Sequence, residues 1–407
     1  MKIGKFGERN KVSIDTIRHY IDMGLIVPEK KGGQYVFDER CQEDLELIIE
    51  FKGMGFSLSE IKTILLFNHF GHLTEYEQNS YYQSLFSDKF TKIEEEIEQL
   101  TAMKENLRLK KELLASKSEA PEILTGVDLK HLELLRCVKC KGTLTLHEGS
   151  IHRNQIIQGS LICDCGEQYT IDSGIIIAGE PFKPIGPASV SPLVTDYIQG
   201  TDSAYLENLH KGLHWAKRKL AQFELQQKVL LELGSGVGFT LRNIYPSLPE
   251  NCLYIAVDHN LERHRLLKSL IDRTGSGSKV LFICADFLNI PLMNHSIDLV
   301  IDHSGTSNYS FTHTNFLLDD VDVLLKKDSQ LLGSYIVFEN FSSKSLIEAK
   351  YRDGFKVDHI KKKLGALGFH LLEERKSGYA EKPGRYENFF VPGEKISGYS
   401  YWGKRWG

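Results

Sequence analysis

Four cysteines fall in two close pairs, Cys137-Val138-Lys139-Cys140 and Cys163-Asp164-Cys165. Two thiolate pairs on tight turns can supply the sulfur ligands of a tetrahedral Zn²⁺. The second pair is one residue shorter than a CxxC knuckle, so His147 or His152 could stand in for one sulfur. A second constellation, Glu232-Leu233-Gly234-Ser235-Gly236-Val237-Gly238, closes the apolar run Lys228–Leu233 and precedes a helical stretch from Phe239 to Tyr245. Strand, glycine turn, helix is the layout in which backbone passes close to a nucleoside cofactor at a helix N-terminus. Asp258 ends the next apolar run, about 20 residues on, where a carboxylate can accept from both ribose hydroxyls. Two further runs, 280–283 and 297–301, lead to Asp286 and to Asp302-His303. These positions are the carboxyl ends of strands, where open α/β sheets bind ligands.

His303 has the chemistry of a general base toward an oxygen or nitrogen nucleophile, or of a structural hydrogen bonder. Tyr309, Phe311, Tyr399, Tyr401, Trp402 and Trp406 could line an aromatic acceptor pocket or pack in the core. There is no Asn/Asp-Pro-Pro-Tyr cradle for a base amino group, and no nearby cysteine to attack a pyrimidine carbon.

A third set lies near the N-terminus. Ser13 is a favoured N-cap for the helical run Ile14-Asp15-Thr16-Ile17-Arg18-His19-Tyr20. Ile14, Ile17 and Ile21 are spaced to face a core, which puts Thr16, Arg18, His19 and Tyr20 on the remaining face. Those side chains suit phosphates and base edges. Lys30-Lys31-Gly32-Gly33-Gln34-Tyr35 reads as a β-hairpin wing beside a duplex backbone. Residues 1–37 hold seven basic and four acidic residues, a balance of +3 in a chain whose net charge is -4. That local sign suits an anionic partner.

The elements that must position these residues follow from composition. The chain has 407 residues, 41% hydrophobic and 26% charged, which is ordinary globular usage and predicts several domains. Neither an 18-residue apolar run nor an apolar leader after Met1-Lys2-Ile3 is present, so no membrane span and no signal peptide are expected. Seven cysteines are too few for a disulfide scaffold, and the expected location is cytoplasmic. The expected division has four parts. Residues 1–76 form a helix-rich DNA-reading domain, and 77–118, dense in Glu and Lys, a dimerisation helix. Residues 127–180 form a small β domain around the cysteines, and 193–407 an α/β domain. Pro181, Pro184, Pro187 and Pro192 mark a linker. Phe86, Phe90, Ile93, Ile97, Leu100, Leu107 and Leu114 recur at heptad spacing, with Lys104 and Lys111 in two seam places. Such a stripe needs a second helix, most simply from another copy of the chain.

Three resemblances attach to these motifs. Ile3-Gly4-Lys5-Phe6, Thr16–Tyr20, Gly24-Leu25-Ile26, Gly33-Gln34-Tyr35, Met54–Leu58 and Glu60-Ile61 resemble the MerR family of bacterial transcription regulators. This implies a winged helix-turn-helix on double-stranded promoter DNA, an antiparallel dimer coil, and RNA polymerase as a partner. One departure is Val36 after Tyr35, where the family usually has Arg. The cysteine segment, with Lys141–Leu144 and Gly166–Ile175, is similar to the zinc-ribbon activator subunits of tRNA and protein methyltransferases.

The C-terminal series resembles class I S-adenosylmethionine-dependent methyltransferases. The resemblance implies that Glu232, Gly234, Gly236 and Gly238 form the first cofactor motif. It further assigns Asp258 to the ribose, Asp286 to the adenine and Asp298 to the fourth-strand motif. Leu324–Ser329 and Leu331–Tyr335 match the family's next helix, turn and strand.

The expected fold class is therefore multi-domain: an all-α winged helix-turn-helix with a long coiled-coil helix, a small β zinc ribbon, and an α/β Rossmann-like methyltransferase domain. The expected function is a dimeric DNA-binding transcription regulator whose effector domain is a ribbon plus an S-adenosylmethionine-binding domain, acting as sensor, as methyltransferase, or as both. The rival is primarily an enzyme, methylating a small molecule or an RNA, with a head that controls its own gene. A cofactor-binding sensor that transfers nothing is a third possibility.

Overall fold

The computed structural model describes residues 1–70, 74–116, 124–180, 193–274, 279–385 and 387–406, so the proline run at 181–192 lies outside the described residues. The chain folds as two compact units, Met1–Ser118 and Glu119–Gly407.

The first unit begins with α1 (Ile3–Asn10) and α2 (Ile14–Asp22), followed by the hairpin β1 (Glu29–Lys31) and β2 (Gln34–Val36). Then come α3 (Glu39–Gly53), α4 (Leu58–Phe70) and α5 (Glu75–Ala115). The starts of α2, α3 and α5 are each fixed locally by a side chain that satisfies an orphan amide. Ser13 Oγ accepts from the Thr16 amide at 3.1 Å, and Asp38 Oδ1 from the Cys41 amide at 2.9 Å. Thr74 and Glu77 close a reciprocal capping box at the head of α5. Phe6, Ile17, Tyr20, Leu45, Ile48 and Ile61 fill one core. The 41 residues of α5 span about 60 Å. Its first turns, at Tyr82 and Phe86, stack on Phe51. Beyond them the heptad stripe is bare: Phe90, Ile97, Leu100, Leu107 and Leu114 are all more than half exposed.

The second unit opens with β3 (Val127–Asp128), β4 (Thr145–His152), β5 (Gln155–Ile162), β6 (Gln168–Asp172) and β7 (Ile175–Ala178). It continues through α6 (Leu193–Gly200), α7 (Ser203–Leu220), β8 (Val229–Leu233), α8 (Phe239–Ile244), β9 (Leu253–Asp258), α9 (Leu261–Asp272) and β10 (Val280–Ala285). After these come β11 (Ile297–His303), α10 (Gly305–Ser310), α11 (Leu317–Val321), β12 (Leu325–Asn340), α12 (Val357–Ala366), β13 (His370–Ala380) and β14 (Lys395–Lys404). Strands β8, β9, β10 and β11 read as almost unbroken apolar runs because helices cover both faces of a parallel sheet. The order of these strands is β13-β14-β12-β11-β8-β9-β10. The first helical crossovers run outward from β8 to β10, the chain then returns to β11 on the other side of β8, and β14 is antiparallel to both neighbours. The reversal of winding between β8 and β11 creates the crevice at their carboxyl ends.

Two differences from the sequence reading stand out. The cysteine segment does not build a sheet of its own. Its last strand, β7, pairs in parallel with β10 from Phe282↔Ile175 to Ala285↔Ala178, so one 12-stranded sheet carries both. Ile175, Ile176 and Ile177 are apolar enough to cover what would otherwise be an exposed edge of β10. The second difference is at Leu324–Ser329, read as helix and turn. Helix ends there at Leu324, and Leu325 onward is already β12, because Ile297 pairs with Leu325 and draws the chain into the sheet.

Candidate functional site

In the first unit, Arg18 and His19 are exposed on α2, and Thr16 is half-buried. Tyr20 is not on that outer face. It is 4% exposed, its ring lies in the core, and its hydroxyl accepts from Lys52 Nζ at 3.4 Å. Ile14, expected in the core, is 41% exposed instead. On a nine-residue helix Ile17 and Tyr20, three apart, define the buried stripe, which leaves Ile14 outside it. The hairpin turn is made by Gly32 and Gly33, both at positive φ, and presents Lys30 and Lys31. Lys30 lies 5.7 Å from the centre of the Tyr35 ring, and Lys31 pairs with Glu29 at 2.7 Å.

In the second unit the four sulfurs of Cys137, Cys140, Cys163 and Cys165 lie within 4.8 Å of one another. The shortest separations are 3.3 Å for Cys140–Cys163 and 3.6 Å for Cys137–Cys165. Tetrahedral Zn–S bonds of about 2.3 Å place sulfurs roughly 3.8 Å apart, so the cluster has the size of such a site. The shorter second knuckle therefore costs no ligand, and His147 and His152 stand outside the cluster. Burial opposes ionisation of Cys137, but the Cys140 amide and the Tyr169 hydroxyl outweigh it and bring the thiol down to about 6.

At the head of the sheet, Gly234, Gly236 and Gly238 all have positive φ. Asp258 Oδ2 accepts from the Gly236 amide at 2.8 Å, and its Oδ1 accepts from the Asn260 amide at 2.8 Å. Asp286 is exposed at the end of β10; its Oδ1 caps Leu288 at 2.8 Å. Glu232 is 1% exposed, and its Oε2 has no hydrogen-bond partner among the described residues. Burial raises its pKa to about 7, with the neighbouring Tyr254 and Thr240 hydroxyls offsetting only part of that. A buried carboxylate with an orphaned oxygen beside a glycine loop fits a ligand that brings a cation, such as the ammonium of an amino acid.

Asp302, expected beside the cofactor, is fully buried and turned into α10. Its two oxygens accept from the Thr306 amide at 2.9 Å and the Thr306 hydroxyl at 2.6 Å. Asp298 sits at the opposite end of β11, paired with Lys228 at 3.2 Å and Lys326 at 2.9 Å, and ties strands together. His303 is half-buried, has no side-chain partner among the described residues, and faces a small cleft between α7 and the sheet. Burial lowers its pKa to about 4, so it is neutral at neutral pH. None of the six candidate aromatics lines that cleft: Tyr309, Tyr399 and Tyr401 are in the core, and Trp406 is 64% exposed. Arg375, which does line it, escaped the sequence reading because Glu373-Glu374-Arg375-Lys376 looks like a solvated edge strand.

Residues 1–67 match the profile of the MerR HTH family regulatory proteins, and residues 42–109 the MerR DNA-binding profile. The chain is 29% identical over 108 residues to the HTH-type transcriptional regulator HmrR of Rhizobium leguminosarum bv. viciae, covering 26% of this chain and 81% of that protein. It is 36% identical over 67 residues to the ZntR homolog of Haemophilus influenzae, covering 16% of this chain and half of that protein. Among solved structures, a SAM-dependent methyltransferase from Aquifex aeolicus is matched at 14% identity and TM-score 0.33, over 54% of this chain and 99% of that one. Residues 1–109 thus carry a MerR-type helix-turn-helix head, and the strand order of the C-terminal unit is that of a Rossmann-like α/β fold. No helix among the described residues is long and apolar enough to cross a membrane.

Proposed function

We propose that this chain is a dimeric, cytoplasmic transcription regulator that binds promoter DNA through its MerR-type head and S-adenosylmethionine through its C-terminal unit. The observation that carries the second half is the juxtaposition of the Gly234–Gly238 turn, Asp258 and the buried Glu232 carboxylate, whose Oε2 has no partner among the described residues, at the switch point of the sheet. In this reading Glu232 meets the cofactor's ammonium, the glycine loop its amino-acid end, Asp258 the ribose and Asp286 the adenine amino group. When bound, the cofactor supplies an electrophilic methyl group. On the head, Ser13, Thr16, Arg18, His19, Lys30, Lys31 and Tyr35 meet the duplex, with RNA polymerase as the downstream partner. The bare stripe of α5 pairs with a second copy. Cys137, Cys140, Cys163 and Cys165 hold one Zn²⁺, which folds the ribbon onto β10. A ligand that favours one of two arrangements of such a chain changes promoter occupancy.

The neutral, unpartnered His303 at a cleft favours the further reading that the unit transfers the methyl group, with His303 accepting or orienting the acceptor's proton. Calorimetry with S-adenosylmethionine tests binding. A labelled-methyl assay with and without promoter DNA separates an enzyme from a sensor. Absence of cofactor heat at millimolar concentration would leave the glycine loop as scaffold and end both readings.

A further inference from the structure

The cleft beside His303 has a floor set by strand register. His303 of β11 is paired with Ser334 of β12, Ser334 with Ser400 of β14, and Ser400 with Arg375 of β13. Directly paired residues point to the same face of a sheet. The four therefore form one cross-strand row beneath α7, with the imidazole at one end and the guanidinium at the other. Three strand spacings of about 4.8 Å put their backbones roughly 14 Å apart. The next row down, Ile301, Leu332 and Trp402, is filled with large side chains that pack under α7. In the row above it two serines stand where strands favour β-branched and aromatic residues, and the floor drops.

The roof is hollowed in the same place. Gly212 sits inside α7, where a glycine costs about 1 kcal/mol relative to alanine. A Cβ built there would meet nothing within 4 Å. The helix thus accepts a weak residue over an empty space.

The charges make the cleft selective. On either side of Arg375, Glu374 pairs with Lys361 and Lys376 with Glu339. Glu373 is taken by Lys219 and by the Trp215 ring N–H. Arg375 has no carboxylate and no hydrogen-bond partner among the described residues, and neither do the side chains of Ser334 and Ser400. A guanidinium fork at the end of a partly apolar slot recognises a planar or tetrahedral anion in two-pronged fashion.

We propose that this row is a binding site for a small organic anion, its carboxylate or phosphate held by Arg375 and its body lying over Ser400 and Ser334 with a polar group at His303. As the methyl acceptor of the C-terminal unit, this class of molecule rests on the methyl-transfer reading; the site itself does not. A row spanning roughly 14 Å is too short for a nucleic acid chain, so the acceptor in that reading is a small molecule.

The test is calorimetry on the full chain without cofactor, using benzoate, phenyl phosphate and the neutral benzamide as probes. At least one anion should bind at about 10 mM or below and benzamide should not. Arg375→Gln should weaken the anion ten- to hundredfold, with Arg375→Lys between the two. Gly212→Leu, which fills the space under α7, should abolish binding while circular dichroism and melting remain native-like. Equal binding of benzamide and the anions, or unchanged anion affinity in Arg375→Gln, would overturn the proposal. Wild-type protein that takes S-adenosylmethionine but neither anion also overturns it and leaves the cofactor reading standing. Protein that takes an anion but no cofactor supports the site and ends the cofactor reading.

Discussion

Asp258 and Gly236 are joined by a hydrogen bond from the glycine amide to a carboxylate oxygen at 2.8 Å. The acid at the end of β9 thus holds the turn that follows β8, and the two parts of the proposed cofactor site are already registered against each other. Asp258→Ala breaks this tie and removes the proposed ribose acceptor. Loss of a charged hydrogen-bonding partner is worth about 1.5–3 kcal/mol, so S-adenosylmethionine affinity should fall roughly ten- to hundredfold. Promoter affinity without cofactor should not change. Calorimetry and a gel-shift titration on the same preparation read the two effects separately.

Glu232 gives a pH signature. Its folded pKa, about 7, lies above the ordinary value of 4.5. Between those values the folded chain keeps a proton that the unfolded chain has lost, so this group's contribution is full below 4.5 and is lost as pH rises through 7. Glu232→Gln should therefore gain stability relative to wild type between pH 5 and pH 8 in urea unfolding. His303 works in the opposite direction, since its depressed pKa removes stability as pH falls below the usual histidine range. The comparison with Glu232→Gln cancels it. Cofactor ammonium favours the ionised carboxylate, so binding at pH 6 should release a proton, seen as a buffer-dependent enthalpy.

The cysteine cluster should influence the cofactor site through β7. Cys137→Ser should remove the bound Zn²⁺ by elemental analysis and lower the melting temperature of the C-terminal unit. Because β7 is in register with β10 and Asp286 follows β10, the variant should also bind S-adenosylmethionine several-fold more weakly. Metal loss with unchanged cofactor affinity would show the ribbon to be energetically separate despite the shared sheet.

On the head, Arg18 is exposed and, among the described residues, held only by Asp15, at 3.3 Å. An exposed pair of this kind is worth little and leaves the guanidinium free to meet a phosphate. Arg18→Ala should weaken promoter binding across sequences and lower the salt slope by about 1. Unchanged affinity and slope would place α2 away from the duplex.

Periodicity and punctuation made much of this legible. Ser13, the Gly32-Gly33 turn and the Gly234–Gly238 loop each fix local geometry by themselves, and the structure has them where the sequence puts them. What stayed hidden depends on register. Tyr20 looks as suitable for an outer face as His19 until the core is assembled around Ile17. Asp302 looks like Asp258, yet the αL turn at Ser304 swings Thr306 back onto both of its oxygens. Arg375 joins His303 only because three strand pairings, spread over about 100 residues of sequence, bring them into one row.

Two glycines of the second unit should respond in opposite ways to alanine. Gly238 caps the start of α8 at φ 79, and a Cβ there would collide with Leu267 Cδ1. Leu267 is fully buried, so it cannot swing clear without opening the packing of α9 on the sheet. Backbone strain and overpacking each cost about 1–3 kcal/mol, and Gly238→Ala should lower stability by at least one such increment and weaken cofactor binding with it. Gly212 has an ordinary helical backbone and open space beneath it, so Gly212→Ala should raise stability by about 0.5–1 kcal/mol. Denaturant unfolding of the two variants beside wild type measures both. A Gly212→Ala variant less stable than wild type would mean that the space under α7 closes in solution, and the cleft beside His303 with it.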